Sequence, residues 1–395
     1  MNHATAMHER LLHSAWADLA FTLSGLVTTG GSPVDIVDQG ELNSGSGPDF
    51  GFACVRIDGI RFNGSIEIHL RASDWYRHGH HRDPAYNRVI LHVILDDDLG
   101  RGVELQDGTR PPTLCIKPWL SPSFLRILET GSSRAIPCAG QISYISDQVI
   151  EEQLAKAGRE YFEEKTRTLL HYYNEHLPIT GAWRTMLQHA LFDLLGLPAN
   201  RKPMIDLLKR LIETGKTGNK ITTGEAFRLS GLYGENPGGM KKQAWDLKGC
   251  RPSSSPYTRI PQAVYLCNRI TDFDIRTIPE RDPEASWHLI CGEWNDTDIT
   301  RPGSDTLATC FYTAFLPCAY LLGNLIHSKR LQNSTYSHWQ KARLPYARQI
   351  SKPLIEADER IAGQAGTPGS LYQFRSYCRQ RRCNECGIFS VLISA

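Results

Sequence analysis

Apolar residues recur along this chain with two different periods. From His3 to Leu23, the residues Leu11, Leu12, Ala15, Trp16, Leu19 and Leu23 fall at helical spacing and predict an amphipathic helix. Gly30-Gly31-Ser32-Pro33 breaks it, and the period then drops to two. Val34 to Val37 predicts a short strand. Phe50 to Ile57 predicts a longer one, with Phe52 alternating against Gly51 and Ala53. Arg61 to Leu70 predicts a third, in which Ile66, Ile68 and Leu70 share one face and Glu67 and His69 the other. Gly59 and Asn63-Gly64 carry the turn chemistry expected around it. Val89 to Leu95 is almost continuously aliphatic, the pattern of a strand covered on both faces. Leu114 to Ile116 predicts an edge strand before Pro118.

Beyond Ser146 the helical period returns. The run VIEEQLAKAGREYFEEKTRTLLHYYNEH predicts a long helix. Trp183 to Leu195 and Met204 to Thr214 predict two more, separated by a turn at Pro198-Ala199-Asn200. Leu307 to His327 predicts a buried helix pair interrupted at Pro317. The change of texture predicts an N-terminal domain over 1–145, a mixed sheet with helices, and a mostly α-helical domain over 146–395.

The polar residues of the strand region are few and concentrated. Glu67 and His69 lie two apart and project side by side. If the strands on either side of Gly59 pair as a hairpin, Asp49, at the mouth of the earlier one, comes level with them. Two carboxylates and a nitrogen base at one point suit a hard divalent cation, Mg²⁺ or Mn²⁺, completed by water and a substrate phosphate. The connection that follows holds Arg71, Asp74, Arg77, His78, His80, His81, Arg82, Asp83 and Arg88, with Trp75, Tyr76 and Tyr86 among them. It reads as a cationic, partly aromatic lip for a phosphate backbone, with Arg71, Trp75, Arg77, His78, His80 and Arg82 as contacts. A solvated polar loop is the plain alternative, and a zinc site at His78, His80 and His81 a third. His92, set among aliphatics, reads as a core histidine with one hydrogen bond.

Pro48-Asp49 followed after seventeen residues by Glu67-Ile68-His69 resembles the PD-(D/E)XK nuclease motif. That motif places an Asp at one strand and a (D/E)-x-K pair on the next, followed by a helix and a further strand. Here His69 stands in the Lys position. The resemblance implies a restriction-endonuclease-like fold over the first quarter to third of the chain. It also implies metal-dependent phosphodiester hydrolysis of nucleic acid, DNA before RNA, with Asp49 and Glu67 on Mg²⁺ and His69 orienting or deprotonating the water. A first-helix Glu joins the metal site in many members, and Glu9 is the matching residue. A nuclease-like fold that has lost catalysis and only binds or scaffolds is the alternative. The segments ERLLHSAW, GSIEIHLRASDWYRHGHHRDPAYNRVILHVI, RPSSSPYTRIPQA and CRQRRCNECGI are also similar to uncharacterised bacterial proteins grouped as a domain of unknown function, a likeness that implies no activity.

Composition refines this only at its edges. The 395 residues are 41% hydrophobic and 22% charged, as for an ordinary folded protein of two or three domains. A net charge of +2 supplies no global field toward nucleic acid, so binding rests on local patches. The first residues lack the basic start and apolar core of a signal peptide, and no apolar run is read as a membrane span. Eleven cysteines without a regular framework then point to a reducing cytoplasm. Three of them, Cys378-x4-Cys383-x2-Cys386, have thiolate-ligand spacing among Arg375, Arg379, Arg381 and Arg382 and predict zinc or an iron–sulfur cluster with a fourth ligand from elsewhere, free or redox-active thiols being the alternative.

Overall fold

The computed structural model describes residues 3–43, 45–130, 136–214, 220–234, 237–248, 250–294 and 298–394. The chain divides into two units. One comprises Met1–Leu154, Ile350–Gln364 and Gln373–Ala395, and the other Ala155–Gln349 and Ala365–Tyr372. The division falls within a long helix, and the C-terminal segment joins the first unit.

The first unit carries a six-stranded mixed sheet. Its strands are β1 (Val34–Asp38), β2 (Glu41–Leu42), β3 (Phe50–Ile57), β4 (Ile60–Arg71), β5 (Val89–Asp96) and β6 (Thr113–Cys115), in the order β1-β3-β4-β5-β6 with β2 also paired to β3. β3 pairs antiparallel with β1 on one side and β4 on the other, while β4, β5 and β6 run parallel. Helix α1 (His3–Ala17) packs on β4 and buries Leu11, Leu12, Ala15 and Trp16. Short helix α2 (Asp74–Arg77) and the 3-10 turns His80–Arg82 and Pro84–Tyr86 carry the chain from β4 to β5. The aliphatic run of β5 is buried as its pattern implies, with Val89, Leu91, Val93 and Ile94 all inside.

Three local expectations are corrected, and the turn at Gly59 is where it was expected. α1 stops at Ala17 because Leu19 turns into the left-handed region at φ 48°; Leu23 beyond it is exposed. Phe52 does not alternate into the sheet. It sits at a β-bulge between Phe50 and Ala53, with φ 59°, and is 85% exposed. The hairpin turn is Asp58-Gly59, both at positive φ as a two-residue turn of this hand requires. Asn63-Gly64 lies inside β4 instead. A Cβ on Gly64 would stand 2.5 Å from the Arg88 carbonyl oxygen, so glycine there permits the close approach of the incoming chain, not a turn.

The second unit is mostly helical. After the long α3 (Asp147–Leu170), α4 (Ile179–Leu195) packs against α5 (Leu197–Glu213) and α6 (Pro256–Asp272). The Pro198-Ala199-Asn200 turn survives only as a kink at Asn200 within α5. Arg259, within the hydroxyl-rich segment, is buried and donates to Gln262 Oε1 and Thr306 Oγ1, so it braces the helices. Pro317 interrupts nothing. The turn before it, Phe311–Phe315, widens to a π-helix, and Leu316–Leu325 continues the helix. The span Ser304–Leu325 is, against expectation, long and apolar enough to cross a membrane, and 72% of its most apolar window is buried inside the protein.

Candidate metal centre

The buried polar residues of the sheet lie under α1, at the ends of β3 and β4. Alternation brings Glu67 and His69 to the same face of β4, and parallel pairing sets His92 of β5 opposite Glu67. All three are buried, at 4%, 1% and 0% exposure, in a region where an unpaired polar group is costly. Asp49 and Glu67 lock the bulged hairpin reciprocally. The Asp49 amide donates to Glu67 Oε2 at 3.0 Å, and the Ile68 amide donates to Asp49 Oδ2 at 2.9 Å.

The other carboxylate oxygen of Glu67 faces two imidazoles, and a third adjoins them. Its Oε1 lies 3.1 Å from His80 Nε2 and 3.5 Å from His69 Nε2. His69 Nε2 in turn lies 3.2 Å from His78 Nδ1. The donor atoms of His69, His78 and His80 all fall within 4.8 Å of one another. An ion held at about 2.0–2.1 Å keeps neighbouring donors roughly 3.0–3.4 Å apart, the spacing of the His69–His78 and Glu67–His80 pairs. His80 Nε2, although close to Glu67, is not aligned for a hydrogen bond and has no such partner among the described residues. On the far side of its ring, His69 Nδ1 meets His92 Nε2 at 2.9 Å. With the shared proton on Nδ1, His69 presents Nε2 as a lone pair, the tautomer that a metal ligand needs.

Electrostatics agree with a missing positive charge. Burial, then the Asp49 carboxylate, pushes Glu67 up to about 9. Burial, then the neighbouring imidazoles, holds His69 well below its ordinary value. Burial also lowers His78 and His80, and takes His92 to about 3. Three neutral imidazoles around a carboxyl that clings to a proton form a set in which a divalent cation replaces that proton. The donors present, three imidazole nitrogens with the Glu67 oxygen beside two of them, fit Zn²⁺ or another transition ion better than Mg²⁺, which prefers oxygen ligands.

The same cleft, about 380 Å³ in volume, is also lined by Glu9, His13 and Asp49. Glu9 is raised by burial and by the Asp74 charge, and its Oε1 is buried without a hydrogen-bond partner among the described residues. His13 Nε2 stands 3.3 Å from Asp49 Oδ2. Burial opposes the His13 imidazolium, but the close Asp49 carboxylate and the charges of Glu67 and Glu9 outweigh it and leave His13 raised. His13 was absent from the sequence reading, although its place four residues after Glu9 puts both on one face of α1.

The lip is different from the one expected. Trp75 has no exposed surface. It fills a core with Tyr86, Val89, Val103 and Leu105 and donates from Nε1 to the Glu104 carbonyl at 3.1 Å. Tyr86 is buried and stacks on His80, with ring centroids 3.9 Å apart. His78 and His80 turn inward to Glu67 and His69, because the α2 turn and the following 3-10 turn point them back over β4. His81 stays outside that set and pairs with Arg82, which donates to its Nε2 at 3.0 Å. Arg71 and Arg82 are exposed, while Arg77 pairs with the buried Asp74 at 2.8 Å.

No curated protein and no solved structure matches the chain. A family model described as Protein of unknown function (DUF2851) matches residues 9–232, which include the whole Glu67–histidine cluster, and the chain belongs to that family.

Proposed function

We propose that this protein is a metal-dependent hydrolase that cleaves phosphodiester bonds in nucleic acid. The observation that carries the reading is the gathering of His69, His78 and His80 donor atoms in an open cleft, with Glu67 Oε1 against two of them and Asp49 and Glu9 in the same lining. Support for the substrate class comes from order along the chain. Asp49 opens β3, Glu67-Ile68-His69 lies on β4, a helix and β5 follow, and Glu9 reaches the cleft from the first helix, as the PD-(D/E)XK pattern lays them out.

A divalent ion in this set would polarise a phosphoryl oxygen and acidify a bound water. Glu67, His69, His78 and His80 hold it, and His92 fixes the His69 ring from behind. Asp49 keeps the Glu67 carboxylate aligned through its amide. His13, protonated more readily than an ordinary histidine, carries a proton on Nε2 for the leaving oxygen. Arg71 and Arg82 lie on the exposed side of the β4–β5 connection and take the phosphate backbone.

The test is to strip the full-length protein with a chelator and reload it with Mn²⁺, Zn²⁺ or Mg²⁺. Labelled single- and double-stranded DNA and RNA are then offered. Cleavage restored by Mn²⁺ or Zn²⁺ and abolished by chelation is the expected result. If one equivalent of ion binds and no nucleic acid is cut under any condition, the phosphodiester reading falls.

Arg71 and Arg82 give a separate expectation. Replacing both with Ala should flatten the salt dependence of nucleic-acid binding by roughly one unit of log–log slope for each lost phosphate contact. Fluorescence anisotropy across a salt series reads this directly, and an unchanged slope moves the binding surface elsewhere.

A further inference from the structure

A second set of ligand-type side chains lies in the first unit and takes no part in the cleft chemistry. Cys378, Cys383 and Cys386 come from the C-terminal segment, the first at the end of the π-helical turn Gln373–Cys378 and the other two flanking the 3-10 turn Cys383–Glu385. Cys138, far away in sequence, joins them in the wall of one apolar cavity with Ile142, Leu354, Ile388 and Phe389. Cys138, Cys378 and Cys386 are buried and Cys383 half-buried.

Tyr377, Arg382 and Gln373 are the polar side chains in its wall, and Gln373 reaches the sulfurs. Gln373 Nε2 points at two of the sulfurs, Cys386 Sγ at 3.4 Å and Cys378 Sγ at 3.7 Å. Its orientation is fixed by a buried relay: the Gly387 amide donates to Gln153 Oε1 at 2.9 Å, and Gln153 Nε2 donates to Gln373 Oε1 at 2.7 Å. A buried amide held with its N–H groups toward sulfur favours thiolate or sulfide over a neutral thiol. Burial pushes the Cys383 thiol up to about 12, with Arg381 pulling the other way. Cys138 is raised first by burial and then by Cys378, Cys386 and Cys383, the three sulfurs around it.

We propose that Cys138, Cys378, Cys383 and Cys386 are the four ligands of an iron–sulfur cluster. A single zinc ion draws four sulfurs to about 2.3 Å from itself, hence roughly 3.8 Å from one another. Among the described residues, the donor groups gathered within 4.8 Å are His69 with His78 and His80, and Asp282 with Glu284 and His338, so no three of these sulfurs are that close. The cavity that they line keeps about 20 Å³ open, roughly the room of one water, so the sulfurs stand around a gap and not against one another. Four cysteines around such a space are the usual ligand set of a cluster.

The experiment is anaerobic purification of the full-length chain, with iron, acid-labile sulfide and zinc measured per chain. Expected is iron and sulfide in equal amounts, with broad visible absorbance that bleaches on reduction. Labile sulfide separates this site from any iron in the histidine cleft. Cys138→Ala and Cys383→Ala should each lower labile sulfide several-fold, while Cys250→Ala leaves it unchanged. Stoichiometric zinc without sulfide in the wild type overturns the proposal. So does wild-type protein without metal or sulfide, whether or not the variants fold, and so does a Cys138→Ala variant that keeps its full sulfide content.

Discussion

Glu67→Gln should abolish metal retention and, with it, turnover. The carboxylate offers one oxygen to the Asp49 amide and the other to the space among His69, His78 and His80. Losing an outer partner of a metal ligand typically costs about 10- to 100-fold in affinity. Removing the only acid among four donors should cost more than that. The stability of the metal-free chain should move the other way. Burial beside Asp49 already pushes the Glu67 carboxyl up to about 9, so a neutral amide suits the empty pocket better than a carboxylate does. Gln keeps an acceptor for the Asp49 amide and turns N–H donors toward His80 Nε2, which has no hydrogen-bond partner among the described residues. The expected pattern is a metal-free melting temperature equal to or above wild type, no stabilisation on adding Mn²⁺ or Zn²⁺, and activity lower by at least two orders of magnitude, about the low end of what general acid–base help alone supplies. Calorimetric titration with each ion, run beside thermal melts, reads all three. Undiminished ion affinity in the Gln variant would remove Glu67 from the site.

The sheet was legible because its strands announce themselves locally. Ile66, Ile68 and Leu70 alternate, and Val89 to Leu95 is aliphatic throughout, so period and burial agree. Asp49, Glu67 and His69 were legible for the same reason: alternation fixes which face they share. What sequence could not carry is insertion and close approach. A bulge at Phe52 breaks no pattern that a period-2 reading can detect. Gly64 reads as a turn residue until the Arg88 carbonyl is found against it. The histidines show a second limit. His78 and His80 belong to a segment full of charge, which reads as surface, yet a short helix and a 3-10 turn fold that segment back so that alternate polar residues point inward. Cys138 shows a third, because nothing local distinguishes it from a core cysteine. Its partners are supplied by chain that returns to the sheet unit only at Gln373.

The largest stability effect in the sheet unit should come from Trp75→Ala. An exposed tryptophan in a cationic segment would stack on nucleotide bases, and its loss would weaken binding at constant stability. Trp75 is instead fully buried, and its indole packs on Tyr86, Val89, Val103 and Leu105. It also forms the floor beneath the histidines. Its ring lies edge-on to His80 and His69, at centroid distances of 5.3 and 6.3 Å, and 5.2 Å from that of His92. Truncating such a side chain to Ala typically costs about 3–5 kcal/mol, a large share of the roughly 5–15 kcal/mol that holds a folded protein together. Urea unfolding should therefore show a markedly lower midpoint for the transition of this unit. Metal content should fall in parallel, since His80 and His92 lose the surface that sets their ring planes. Trp75→Phe should recover much of the stability, because it restores most of the packed area and forfeits chiefly the bond from Nε1 to the Glu104 carbonyl. A Trp75→Ala protein that unfolds with the wild type and loses only its affinity for nucleic acid would return this residue to the binding lip and displace it from the core.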